Sequence, residues 1–289
     1  MEYGLHVLVL VSIYATLAVS LNLIAGYTGL LSIAHAAFYG VGAYTIALMD
    51  SNFGSPFWLS IICACGLSGV LGVLVGIPSL RIRDDYFTVA TFAFQVMTFG
   101  LLNNWVSLTG GPMGLPGISQ PGLFGWRISS PAGFLVLAVA VCSLTLWVTR
   151  HIVNAPFGRV LKAIREDETF AEAAGKNVAA HKVLVFVIGA CMAGLAGGLY
   201  ASYISFIDPT SFTVMESVCI ISIVIIGGAG NLWGSVLGAA VLVVLPEALR
   251  FLGLPSSVAA NIRQILYGAT LVVLMICRPQ GLIGEYSFQ

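Results

Sequence analysis

The chain has 289 residues, of which 58% are hydrophobic and only 8% charged, with a mean hydropathy of +0.99. A soluble domain carries about 25% charged residues, so a water-soluble fold is excluded and a polytopic membrane protein is implied. Twelve basic and twelve acidic residues cancel, which gives no reason to expect nucleic acid or an acidic surface as a partner.

Residues 3–49 contain no Asp, Glu, Lys or Arg. At 1.5 Å per residue they would make ~70 Å of helix, over twice the hydrocarbon core, so the chain must turn back. The turn is expected at Gly26-Tyr27-Thr28-Gly29, giving spans near 5–26 and 31–49, the second either continuous or broken. Met1-Glu2 has no basic flank and the apolar run after it is long, so a first span retained in the protein is expected rather than a cleaved leader. A third span is expected near 57–79, where Gly66, Gly69, Gly72 and Gly76 form a small-residue ridge suited to close helix packing. A charged turn at residues 81–85 and a fourth span near 86–107 follow. Between 108 and 130, Gly110, Gly111, Pro112, Gly114, Pro116, Gly117, Pro121 and Gly122 predict an irregular loop or a non-spanning excursion. A fifth span is expected near 131–149 and a sixth near 183–206, the latter with a small-residue face at Gly189, Ala193, Gly194, Gly197 and Gly198. GGAGNLWG (227–234) divides the apolar stretch 217–250 in two, and a last span lies near 264–277. The fold class is thus an all-α bundle of eight or nine spans, some broken or re-entrant.

The one long charged passage is 158–182, GRVLKAIREDETFAEAAGKNVAAHK, which holds five of the twelve Lys and Arg residues. Val160, Ile164, Ala171, Ala174 and Val178 recur there at helical spacing, with charge on the other side, so a short amphipathic helix that docks into a partner is predicted. Positions 150–182 hold six basic residues, whereas 84–126 and 183–249 hold none. The basic loop and the 81–85 turn are therefore placed in the cytoplasm, and the Pro/Gly-rich loop and Asp208-Pro209 outside.

Little in the spans suggests chemistry. The acids sit at span edges (Asp50, Asp208, Glu216, Glu247), unlike the intramembrane carboxylates of ion-driven carriers. Glu247 and Arg250, about one turn apart, read as a helix-end ion pair. His35, Asn22, Gln95, Asn103 and Asn104 are polar groups that face either a pathway or one another. The six cysteines lie in apolar runs, with neither a disulfide framework nor a metal-ligand spacing. There is no Ser/His/Asp set, no HExxH and no phosphate-binding GxxxxGK[ST]; GGAGNLWGS lacks the lysine. No cofactor is expected. If this protein pumps anything, the phosphate chemistry belongs to another chain.

The charged passage resembles the cytoplasmic loop of permease subunits of the branched-chain amino acid ABC importers, the M-type subunit in particular. LNLIAGYTGLLSIAHAAFYGVGAY (21–44), YFTVATFAF (86–94), TGGPMGLPGI (109–118), AGLAGGLYA (193–201), IIGGAGNLWGSVLGA (225–239) and RPQGLIGE (278–285) resemble that family too, in order along nearly the whole chain. The resemblance implies one transmembrane permease domain over 1–289, with residues 150–182 as a cytoplasmic loop carrying the ATPase-coupling helix. Gly158, Arg159, Lys162, Ala163, Ile164, Arg165, Glu166, Asp167, Glu168, Ala173, Gly175 and Asn177 match the family's loop. Glu172-Ala173-Ala174-Gly175 is similar to the EAA motif of ABC importers, with its Gly closer than in the general pattern. The implied partners are a homologous second permease, two cytoplasmic ABC ATPases, a periplasmic or lipoprotein substrate-binding protein and the bilayer of a bacterial or archaeal inner membrane. Leu, Ile and Val are the implied substrates. Urea, short amides or other amino acids are carried by sister members, and a self-sufficient channel is the reading from another class.

Overall fold

The computed structural model describes residues 2–79, 84–123, 126–128, 130–250, 265, 268, 269, 272 and 280–283. In chain order, α1 (Glu2–Leu21), α2 (His35–Phe53), α3 (Phe57–Ser79) and α4 (Asp84–Asn104) are followed by a one-turn α5 (Val106–Thr109). Then come α6 (Pro131–Asn154), α7 (Pro156–Glu166), α8 (Glu168–Ala173), α9 (Val178–Ile204), α10 (Val214–Gly227) and α11 (Leu232–Arg250). Among the described residues the longer helices are α1, α2, α3, α4, α6, α9 and α11, with α10 shorter at 14 residues. Five stretches are long and apolar enough to cross a membrane by themselves, α1 with its extension and α3, α4, α6 and α9. The chain is an all-α, multi-pass membrane protein. The span expected at 264–277 falls almost wholly outside the described residues.

The centre of the bundle is α1, α2 and α9. α2, α3 and α9 pack against one another, and α1 packs against α6, α9, α10 and α11. Lipid is as apolar as leucine, so these helices gain little from leaving it, and association relies on dispersion at close approach. That is what the glycines permit. A Cβ added to Gly42 of α2 would lie 2.1 Å from the carbonyl oxygen of Gly194 in α9, and one on Gly197 would lie 1.9 Å from that of Tyr39. The small-residue face predicted for α9 is this contact surface. On α3, Gly69 and Gly72 face Cys191, Val187 and Ala190 of α9, whereas Gly66 meets open space and takes no part. α10 and α11 cross backbone to backbone as well, with Gly227 against the Gly234 carbonyl.

The outer helices α3, α4 and α6 carry exposed apolar side chains such as Ile62, Leu74, Met97, Val136 and Trp147, the surface a lipid-facing wall presents. The free cysteines lie in the helices as expected, Cys142 and Cys219 buried.

The two ends differ. At one, here called the charged end, α7 and α8 lie beside the 22–34 turn and the α10–α11 turn; Gly281 to Ile283 close over it, Leu282 and Ile283 donating their N–H groups to the carbonyls of Ile226 and Gly227 at 2.8 and 3.1 Å. The opposite end is capped by residues 105–130. That segment is the non-spanning excursion predicted from its Gly and Pro content, built from α5, a 3₁₀ turn (Gly111–Met113), and the two-residue strands β1 (Leu115–Pro116), β2 (Gly122–Leu123) and β3 (Trp126–Arg127). β1 pairs antiparallel with β4 (Phe206–Ile207), and β2 with β3. The Glu2 end of α1 lies at this opposite end, where His6 and Tyr203 are 2.8 Å apart and the Tyr3 hydroxyl donates to Glu247. Glu247 therefore ties α11 to α1; the side chain of Arg250, its expected partner, lies outside the described residues.

The first span ends where the sequence places it, its last turn being a π-helical segment, Asn22–Gly26. Two other boundaries differ for local reasons. α2 is one unbroken helix beginning at His35, after a non-helical stretch from Gly29 to Ala34. α6 runs past Arg150 to Asn154, where the extended Ala155 and Pro156 end it.

Candidate coupling site

Residues 156–178 are not one helix. Asp167 adopts an extended backbone (φ −156°, ψ 106°) and divides α7 from α8. Its carboxylate accepts from the Phe170 N–H at 3.0 Å and the Thr169 hydroxyl at 2.6 Å, the N-cap arrangement that satisfies an orphan donor of a new helix. The same two bonds, the Thr169 hydroxyl foremost, hold the Asp167 carboxyl below the usual carboxylate range. Gly175 then takes φ +77°, a left-handed conformation that a side chain would strain. Asn177 caps α9 by accepting from the Ala180 N–H at 3.0 Å. The sequence lays the stripe along one axis, but the chain folds it into a corner. Ile164, Ala171 and Val178 still meet, with Val160 packed on them. Ala174 does not join them and is exposed.

The inner side of this corner is fastened to three elements. Leu161 is buried with Leu23, Tyr27, Val153 and Val185. The Arg165 guanidinium donates to the Gly26 carbonyl at the end of the π-helical segment, and the Lys162 ammonium stands 5.8 Å from the centre of the Tyr27 ring. The buried Lys182 of α9 meets Glu168 at 2.5 Å, which pins α8 to α9. Gly158 sits where a Cβ would lie 2.1 Å from the Val153 carbonyl oxygen, so the tight α6–α7 corner admits no side chain there.

The outer side is exposed. Arg159, Glu166, Asp167, Glu172, Ala173, Gly175 and Asn177 face outward, and Ala163 is half-buried. Phe170, which the sequence reading did not single out, is 69% exposed at the apex between Glu166 and Glu172. Its signal was an aromatic residue adjacent to the apolar stripe rather than in it.

Asn22 and Gln95 latch separate elements together, and the structure does not gather the polar span residues into one site. Asn22 is fully buried; its amide donates to the Asn231 carbonyl at 2.8 Å and the Ser235 hydroxyl at 2.7 Å, and accepts from the Gly230 N–H at 2.9 Å. It thereby locks the π-helical segment to the α10–α11 turn. Gln95 donates to the Phe212 carbonyl at 2.8 Å and accepts from Ser217 at 3.4 Å. His35 Nε2 lies 2.7 Å from the Ser20 hydroxyl, while its buried Nδ1 has no partner among the described residues, nor do the hydroxyls of Tyr39 and Tyr44 on the same helix or of Ser202. Asn103 and Asn104 lie near the opposite end of α4, Asn104 bonded to the Gly100 carbonyl at 2.7 Å.

A multi-helix membrane bundle with a fastened, outward-presenting helical corner is what a transporter's membrane subunit would offer a separate motor. Residues 4–275 match the family described as branched-chain amino acid transport system / permease component. The chain belongs to this family. It is 35% identical over 298 residues to the high-affinity branched-chain amino acid transport system permease protein LivM of Escherichia coli, an alignment covering 95% of this chain and 68% of that protein. The probable LivM of Methanocaldococcus jannaschii is 27% identical over 78% of this chain and 68% of its own length. LivH of Escherichia coli is 25% identical over 95% of this chain and 92% of its own length. No solved structure matches.

Proposed function

We propose that this chain is the M-type permease subunit of an ATP-driven importer of branched-chain amino acids in a bacterial or archaeal inner membrane. It would pair with a homologous second permease, bind two cytoplasmic ATPases through α7 and α8, and receive Leu, Ile or Val from a binding protein at its opposite end. Similarity to both LivM and LivH supports a paired arrangement of two related permeases. The basic charge around α7 supports a cytoplasmic location for that end.

One observation carries the reading: Phe170 and its flanking acids are exposed on a corner whose other side is bolted to α1 and α9. A solvated loop would need neither feature. Phe170 would fill a groove on the ATPase, as exposed aromatics do at interface centres. Motion of the corner would reach α1 through Arg165 and Gly26, then α10 and α11 through Asn22. It would reach α9 through Lys182. Two-state rocking of these packed elements would switch the cavity from outward- to inward-facing.

Phe170→Ala and Glu166→Lys, assayed in the full complex, are expected to abolish leucine uptake while membrane insertion and the ATPases' basal hydrolysis persist. Glu168→Lys is a poorer choice because it would set a second cation against the buried Lys182. Purification of the tagged chain in mild detergent should recover a second permease and two ATPases. Recovery of this chain alone, with uptake that survives Phe170→Ala, would sink the importer reading and favour a self-sufficient channel.

A further inference from the structure

At the opposite end, α2, α3, α9 and the capping segment enclose a cavity of about 450 Å³, within the size range of small-molecule sites. Asp50, at the end of α2, is the one charged residue among those that line it. One oxygen of its carboxylate accepts from the Ser119 N–H at 2.7 Å; among the described residues the other has no hydrogen-bond partner. Ser202 of α9 also lines the cavity with its side chain buried. Ile46 and Phe57 supply an apolar wall. Ser202 and Gln120 also line a second cavity of about 310 Å³ beside the first, bounded by His6, Phe134 and Tyr203.

We propose that the larger cavity is the receiving site for the delivered solute, and that it takes an amino acid zwitterion by its ammonium group. Asp50 accepts the ammonium, and Ile46 and Phe57 contact the side chain. Among the described residues no cation pairs with this carboxylate, which suits a group with positive charge. Neutral urea or a short amide would leave that charge uncompensated, so the site selects among the substrate classes carried by this family. The same carboxylate holds the 115–120 segment through Ser119, so binding would be registered at the segment that covers the mouth. This inference rests on the importer reading above and names the part of the substrate recognised.

The test uses the complete importer in proteoliposomes with leucine-loaded binding protein, reading leucine moved per ATP hydrolysed. Asp50→Asn keeps an acceptor for the Ser119 N–H but removes the charge. It is expected to lower the leucine-to-ATP ratio about tenfold, the loss of one charge-assisted hydrogen bond, with stimulated hydrolysis retained. Asp50→Glu should restore most of the ratio. An unchanged ratio in Asp50→Asn overturns the proposal, whether both activities persist or fall together; a joint fall would mark Asp50 as a clamp for the loop alone. A wild-type complex that imports no amino acid would instead overturn the importer reading.

Discussion

The charged end and the opposite end of the bundle are held in different ways. At the charged end a compact helical corner is fastened by side chains to α1 and α9, through Arg165, Lys182 and Leu161. The opposite end is closed by a Gly- and Pro-rich segment held by short backbone pairings to β4 and Ser205, by the Asp50 carboxylate and by the buried Ile118. Charged side chains in fixed geometry transmit displacement, because breaking them costs more than moving with them. Short backbone pairings over irregular chain can open locally at small cost. On the proposed reading, one end would push and the other would open.

Severing the lever tests this most directly. Arg165→Ala removes a charged donor from the Gly26 carbonyl, a loss of roughly 1.5–3 kcal/mol. Leucine uptake by the reconstituted complex is expected to fall at least tenfold, with ATPase binding retained in a pull-down. Uptake near the wild-type level would mean that motion does not pass through α1.

The cap is addressed by Gly114→Val. Gly114 has φ +70°, and a Cβ would lie 2.3 Å from the Ile207 carbonyl oxygen. The β1–β4 pairing should be lost at a local cost of about 2 kcal/mol. Hydrogen exchange should then rise over 112–120 and 205–208 while the charged end is unchanged. Spread of that exchange to α7 and α8 would show that the two ends are not independent.

A smaller effect is expected from Glu168→Gln, which leaves the buried Lys182 with a neutral partner. Glu168 is half-exposed, so the loss is held to about 1–2 kcal/mol, read as a lower thermal midpoint of the detergent-solubilised complex. Lys182→Met, which removes the buried charge as well, should be better tolerated; the opposite order would deny the pinning role.

Asp167 gives the smallest effect. Its folded pKa lies below its unfolded value, so its stabilisation is present above the unfolded pKa, about 4, and is lost as pH falls through the lower folded pKa. From pH 5 to 8 the wild type keeps this small stabilisation and Asp167→Asn lacks it, so the two uptake profiles should run parallel with a small constant offset and converge only in more acid conditions. An offset that changed between pH 5 and 8 would give the Asp167 charge a role beyond its cap.

Several of these features were legible in the linear chain. The 108–130 excursion followed from its glycines and prolines, since residues that lack a side chain or an N–H end helices wherever they occur. The break at 227–234 was visible for the same reason. The helical corner was not, because Asp167 is compatible with a helix interior until its carboxylate finds the Phe170 N–H. Nor was Phe170, since which side of α8 faces outward depends on where α9 and α1 lie.

By itself, then, the sequence determined the membrane class, the approximate helix spans, the charged loop and the small-residue face of α9. Each is a property of composition or spacing that a bilayer reads locally. Only the tertiary structure decided that Asn22 and Gln95 are latches, that Arg165 grips Gly26, and that Asp50 stands beside Ser202 at a cavity. Those pairings join residues far apart in the chain, Asn22 with Asn231 and Asp50 with Ser119. Hydrogen bonds form between neighbours in space, and only the packed helices make these residues neighbours.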